Sequence, residues 1–390
     1  EEEPPEAAAD GGYVTLADDD PPVVQDNPGG IRPFEALVEV INRPKYTELD
    51  PTVILFLTFP TFFGFMIGDL GYGLLYMGMG YWLMRNVDSD VLASLGGIAL
   101  WAGGFTALFG ILYGEFFGLH QLGEFVWNGD PPIHKGLQPY YIEYAKAWLM
   151  VSIVIGVIHL VAGRVFDFVN NLQHGVKEAF LESGSWMLMT IGLWVWVLST
   201  HLSTPKPDFM FTVFDGAPFA LGFSGFPEAV GFAGLGVFVL GFVLGLIAEG
   251  GIVIIESITQ VFGHVVSYTR LAAVVLAKAG MALAVNLLVF GATLTDEGVF
   301  HFIFFNPNAH GEVVFGGLIN GTGPAELILG GLAGIVVLLF GHLLVLVLGI
   351  SSAGLQAVRL EYVEFFGKFY DGGGISYNPF GHERNYTVEE

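Results

Sequence analysis

The sequence predicts an all-α polytopic membrane protein with about eight transmembrane helices, the last two long and tilted. Three observations carry this. Of the 390 residues, 53% are apolar and 13% charged, whereas soluble domains carry about 25% charged residues. Gly (55 residues) and Phe (35 residues) are both abundant, as in membrane helices. Apolar segments recur at 53–84, 91–118, 147–167, 184–202, 228–248, 252–293 and 325–370, and one crossing needs about 20 residues. The glycines follow no three-residue period, which excludes collagen, and the apolar content excludes a disordered chain. Cysteine is absent, which excludes disulfides, thiolate metal sites and cysteine nucleophiles.

The charge balance is strongly acidic: 14 Lys and Arg against 38 Asp and Glu, a net −24. Such a surface repels nucleic acid, so no nucleic-acid partner is expected. Residues 1–50 hold 13 of the 38 acids, and the later loops are acidic too. An acidic, Lys-poor exterior points to a halophile, because high salt screens the self-repulsion.

Residues 1–30 are rich in Glu, Asp, Pro, Ala and Gly without apolar period, and read as an acidic, disordered linker. The chain does not begin with Met and shows no signal-peptide pattern, so it is expected to be part of something longer. Residues 31–52 read as an amphipathic connector at the membrane surface, and 382–390 as a C-terminal tail. The first long apolar segment, 53–84, carries Gly68-Asp69-Leu70-Gly71-Tyr72-Gly73 at its middle, which predicts a hairpin of two short helices. Topology supports the hairpin. Both termini then share a side with Arg32, Arg43, Lys45, Arg85, Arg164, Lys177, Lys368 and Arg384, while Lys135, Lys146 and Lys206 fall on the other. Eight cations against three place both termini in the cytoplasm. A single crossing there would give five against six. Trp82, Trp127, Trp148 and Trp186, near segment ends, read as interface belts.

Charges inside the apolar segments are the candidate functional residues, because each costs roughly 2.5–3.5 kcal/mol at a helix centre. Arg270 lies near the middle of 252–293. On an ideal helix Glu256 is about 40° off its face and about 21 Å away, with Gln260, Gly263 and Ser267 between them and His264 nearby. Lys278 lies about 12 Å beyond. The last segment carries Arg359, with Gln356 and Ser352 on its face, His342 towards one end, and Glu361 and Glu364 towards the other. Arg359 is near enough to its segment end to snorkel. Arg270 is not, and no acid within one turn on its own helix serves it, so its partner is expected from another chain.

At these residues the chain resembles a family. SYTRLAAVVLAKA at 267–279 and LQAVRLEYVEFFGKFYDGGG at 355–374 resemble the last two membrane helices of the a subunit (subunit I) of archaeal and vacuolar-type rotary ATPases. FGFMIGDLGYG at 63–73, LYGEFFG at 112–118 and RPFEALVEVINRPKYTELDPT at 32–52 are similar to the same family, and the likeness runs over about 28–381. It implies the membrane half of that subunit, whose N-terminal cytoplasmic half meets the peripheral stalk. Residues 53–251 would be scaffold and 252–381 the ion-path helices facing the proteolipid c-ring. The subunit would be non-catalytic by itself and without cofactor. It would provide two offset aqueous half-channels for H⁺ (or Na⁺) in a complex that also has a central stalk. Arg270 would be the essential arginine facing each rotor carboxylate, Arg359 the second arginine, and Glu256 an acid on the cytoplasmic side. Eukaryotic members have His where this chain has Lys278, and Glu where it has Gly349. The external half-channel must therefore be lined differently, with His342 and Glu115 as candidates. The chemistry fits: a guanidinium keeps its proton, forks onto carboxylates and lowers their pKa, forcing ion release as a rotor site passes.

The alternative is a secondary ion-coupled transporter with a midplane site, but paired broken helices in two repeated halves are not evident. An aspartyl protease on Asp69 lacks a second intramembrane Asp. His159, His264 and His342 lie on separate segments, so no metal site is expected and each reads as a packed core histidine. There is no GxxxxGK[ST] motif, so nucleotide hydrolysis would belong to another chain.

Overall fold

The computed structural model describes residues 21–200, 206–216, 218–296, 298–304 and 312–377, with Pro139 by its backbone only. Residues 1–20 of the acidic lead-in, Arg384 and the 382–390 tail lie outside the described residues.

The chain is a bundle of helices running between two ends, here called near (the end of the described termini) and far. A short helix α1 (Glu35–Ile41) precedes α2 (Thr52–Ile67), α3 (Leu70–Asn86) and α4 (Asp90–Tyr113). Gly68 ends α2 with a φ of +42°, and Asp69 caps α3 by accepting the Tyr72 amide at 3.1 Å. α4 ends likewise at Gly114, with a φ of +68°. Glycines set the packing of these three helices. Gly64 abuts the backbone of Phe105–Thr106, while Gly73 meets Gly103 and Ala107, and Gly80 meets Gly96 and Leu100. These pairings run α2 parallel and α3 antiparallel to α4, so the chain reverses at Gly68–Asp69. Close backbone approach through small residues is how helices associate where lipid supplies no hydrophobic drive.

At the far end α5 (Gln121–Trp127) leads to α6 (Ile142–Asn171), which returns to the near end. α7 (Val176–Val197) and α8 (Glu228–Glu249) form an antiparallel pair, Gly192 against Gly234 and Phe238, Gly241 against Ser185 and Met189. The chain reverses at Gly250 (φ +76°) into α9 (Val253–Ser257), a π turn at Ile258–Gly263, α10 (His264–Ser267) and α11 (Thr269–Phe290). The last helix, α12 (Pro324–Arg359), continues through a further π turn, Leu360–Phe365, and a third lies within α7 at Phe180–Gly184. α11 and α12 pack side by side.

Among the described residues, five helical stretches are long and apolar enough to cross a membrane: Asp90–Tyr113, Ile142–Asn171, Val176–Val197, the folded-back Glu228–Phe290, and Pro324–Lys368; Thr52–Ile67 is a shorter apolar helix. The bundle is a polytopic membrane fold. Val239, Leu240, Val243 and Ile247 on α8 and Leu339, Phe340, Leu343 and Leu344 on α12 turn outwards, the reverse of a soluble protein. The far end also carries a small antiparallel sheet, β1 (Ala292–Leu294), β2 (Phe300–Phe302) and β3 (Glu312–Phe315), in the order β2-β1-β3, which hydropathy did not reveal. The near end is tied together by its termini: Val23 donates to Ile375 at 2.8 Å, Gly374 to Arg43 at 2.9 Å, and Tyr370 Oη to Asn42 at 2.6 Å.

Two tryptophans depart from the belt reading. Trp148 and Trp186 are buried, their indoles donating to the His134 carbonyl (2.8 Å) and to Glu249 (2.7 Å). Each has an internal acceptor, so neither needs the interface. Trp82 is exposed.

Gly73→Ala should lower the stability of the solubilised protein by about 1–3 kcal/mol, because its Cβ would meet the Ala107 amide at 2.5 Å. Gly78→Ala, with nothing within 4 Å, should not. Thermal unfolding of both variants measures the difference.

Candidate functional site

Two polar networks occupy the bundle interior, one on each side of the level of Arg270. The near-end network starts at Glu256 on α9. Its carboxylate accepts from Gln260 Nε2 at 2.7 Å. Gln260 Oε1 in turn accepts from Arg164 on α6 and from Lys368 Nζ, the latter at 3.2 Å. Lys368 also reaches His264 Nδ1 at 2.7 Å, and Arg164 pairs with Asp167 at 3.4 Å while lying over the Trp186 ring. Gln260 sits within the Ile258–Gly263 π turn. Interior π turns widen a helix locally and are frequent at functional sites.

Further along, Arg270 opens α11. Its Nη2 donates to Ser267 Oγ at 3.2 Å, and Nη1 donates to Glu364 Oε1 at 3.4 Å. Arg359 Nε lies 3.9 Å from the same oxygen. The Arg270 side chain is 27% exposed and that of Arg359 54%, while Glu364 is 1% exposed. The nearest carboxylate to Arg270 is thus in its own chain, which corrects the expectation of a partner solely from outside. The acid is contributed by the π turn that continues α12, not by α11. Glu361 is fully buried, with His159 Nε2 3.8 Å away; His159 Nδ1 is 2.6 Å from Tyr268 Oη, and its ring stacks on Phe365. Several buried polar atoms here have no hydrogen-bond partner: both Glu361 oxygens, Glu364 Oε2, Gln356 Oε1 and His159 Nε2. Unpaired buried oxygens of this kind mark a place for water or a shared proton.

The far-end network centres on Asp69. Its Oδ1 accepts the amides of Tyr72 (3.1 Å) and Phe117 (3.0 Å), and Oδ2 that of Gly118 (2.7 Å). Lys278 Nζ lies 3.6 Å from Oδ2 and over the Tyr72 ring, with both charged side chains within 1% of complete burial. Lys278 therefore pairs with an acid rather than snorkelling. Tyr72 Oη meets His342 Nδ1 at 2.6 Å, and His342 Nε2 meets Asn286 Oδ1 at 3.2 Å. Beside this, Glu115 pairs with Lys135 at 2.6 Å, and His120 stands 3.8 Å from Glu115, nearer the surface. In the far-end loop His134 stacks on Tyr141 at 3.8 Å; burial lowers its imidazole to about 4, so it is neutral. Gly349 lies against Tyr76 Oη, 3.0 Å from where a Cβ would stand.

The arrangement brings together Arg270, Ser267, Glu364 and Arg359, and separately Glu256, Gln260 and His264. It keeps Asp69, Lys278 and His342 apart from both. Arg164, Lys368, His159, Tyr268, Lys135 and Asn286 belong to these networks but did not emerge from the sequence. Arg164 and Lys368 had been counted as near-side cations; Asp167 three residues after Arg164 was the signal that it pairs internally. No group of three or more His, Asp or Glu side chains among the described residues could hold a metal ion.

The chain is 51% identical, over 414 aligned positions, to the A-type ATP synthase subunit I of Halobacterium salinarum, covering 99% of this chain and 55% of that protein. It is 34% identical to A-type ATP synthase subunit I of Pyrococcus horikoshii (95% and 49% covered) and 24% identical to V-type ATP synthase subunit I of Borreliella burgdorferi (89% and 51% covered). The chain spans about half the length of the curated relatives it matches. No family model matches it.

Removing one member of a buried ion pair strands the other, at a cost of about 3–5 kcal/mol. Lys278→Met should therefore destabilise the protein by that order, and Lys278→Met/Asp69→Asn should lose less than the sum of the two single changes. Thermal unfolding in detergent gives the double-mutant cycle.

Proposed function

We propose that this homologue of A-type ATP synthase subunit I, a multi-pass membrane protein, is the stationary ion-translocating part of a rotary ATP synthase. It couples passage of H⁺ or Na⁺ across the membrane to rotation of a proteolipid ring. The single observation that carries the reading is Arg270. It is a permanent cation at mid-bundle, 27% exposed, beside Arg359 and between the Glu256–Gln260 and Asp69–Lys278 networks.

Each chemical step follows from a named group. A rotor carboxylate arriving against the open side of Arg270 meets a cation that cannot give up its proton, so the carboxylate is held ionised and releases its ion. Glu256 and Gln260, with Lys368 and His264 behind them, supply donors and acceptors that carry the ion to the near end. At the far end Glu115, His120 and His342, arranged around the Asp69–Lys278 pair, line the opposite access. Lys278 paired to Asp69 acts as a fixed charge there rather than as a titrating relay. Between the two, buried Leu271, Ala272 and Val275 keep the seam dry. Ions therefore cross only by riding the rotor.

The near end is read as cytoplasmic, because Arg32, Arg43, Lys45, Arg85 and Lys177 belong to it. The partners are then the proteolipid ring, the peripheral and central stalks, and an N-terminal cytoplasmic half homologous to the rest of the relatives.

Arg270→Lys keeps the charge but loses the fork and can deprotonate. In assembled membranes of normal subunit content it should nearly abolish ATP-driven ion pumping, and Arg359→Lys should be milder. Wild-type pumping by Arg270→Lys would refute the barrier role. The chain has no cysteine, so Asp88→Cys introduces a single label site in the α3–α4 loop. It should react with an impermeant maleimide from the cytoplasmic face; reaction from the outside alone would reject this orientation.

A further inference from the structure

Arg270 has a carboxylate partner within its own chain. Glu364 Oε1 lies 3.4 Å from its Nη1 and 3.9 Å from Arg359 Nε, so one oxygen serves two guanidiniums. The acid is 1% exposed, and both cations are open to the outside. The second oxygen, Oε2, turns inwards without a hydrogen-bond partner. The cluster therefore holds two positive charges and at most one negative. The ionisable groups packed around it are engaged elsewhere: Lys368 with Gln260 and His264, Arg164 with Asp167, Glu256 with Gln260, Tyr268 with His159, and Glu361 beside His159.

We propose that Glu364 is a resident counter-ion that holds the Arg270–Arg359 pair between rotor visits and leaves one uncompensated positive charge for a single incoming rotor carboxylate. The inference rests on the rotary reading above and adds a charge count to it. Two guanidiniums side by side repel, and a buried shared carboxylate lets them stand together in an apolar seam. A rotor carboxylate then meets a net charge of one rather than two. It is ionised on arrival, yet it can still be reloaded and leave. Without Glu364 the same carboxylate would face two cations. One extra nearby charge moves a carboxylate's pKa by about 1–3 units, so reloading would require a much higher external ion concentration. Glu364 is thus a positioning residue that acts through the two arginines.

The test uses the complete ATP synthase in proteoliposomes, making ATP under an imposed ion gradient. In Glu364→Gln the external proton (or sodium) concentration for half-maximal synthesis should rise at least tenfold, whereas Glu364→Asp, which keeps the charge, should stay near wild type. Glu364→Gln/Arg359→Gln restores the net single charge and should move the value back towards wild type, which a packing defect would not do. An unchanged half-maximal concentration in Glu364→Gln, with Arg270→Lys inactive, would overturn the counter-ion role and leave the rotary reading standing. Wild-type pumping by Arg270→Lys would instead overturn the rotary reading. If Glu364→Gln does not assemble, the double variant decides: assembly with near-wild-type ion dependence supports the charge count, and failure of both refutes it.

Discussion

The buried pair of Asp69 and Lys278 fixes the geometry on which the rest depends. A carboxylate in an apolar bundle is tolerated only when its lone pairs are filled. Asp69 fills them with three backbone amides, from Tyr72, Phe117 and Gly118, and its charge is balanced by the Lys278 ammonium 3.6 Å away. One side chain therefore joins the break between α2 and α3, the loop that follows α4, and α11. Arg270 lies on that same α11, about 12 Å from Lys278. Whatever anchors the lysine sets the depth of the arginine.

Around that anchor the helices obey lipid rather than water. Glycines on α2, α3 and α4, and again on α7 and α8, bring backbones into contact, while leucines and valines of α8 and α12 face outwards. Polar groups are gathered at both ends of the bundle and around Arg270, and the stretch of α11 between Arg270 and Lys278 presents buried Leu271, Ala272 and Val275.

Much of this was legible in the residues. Hydropathy gave the membrane helices, since runs of apolar residues longer than a bilayer crossing have few other uses. Arg270 stood out because a permanent cation far from a segment end needs a partner. What stayed hidden depended on helix phase and on partners from distant segments. Glu256 and Arg270 share a face only on an unbroken α-helix, and the Ile258–Gly263 π turn intervenes and resets the phase. Glu364 could not be matched to Arg270 by spacing, because 94 residues separate them. Trp148 and Trp186 were near segment ends in sequence yet buried, because α6 and α7 are covered there by neighbouring loops and helices.

The π turns nearest Arg270 and Arg359 bear on which main-chain groups stand beside the polar side chains. Closing a turn from i to i+5 leaves one carbonyl out of the regular amide ladder, and a polar group so released must find another donor. These turns span Ile258–Gly263 and Leu360–Phe365, and hold or adjoin Gln260, His264, Arg359, Glu361 and Glu364. A carbonyl released at either turn would stand among these side chains as a further acceptor. No side-chain replacement deletes it. A scan by alanine would leave such an acceptor in place, whereas removing one residue from either turn would restore α geometry and remove it.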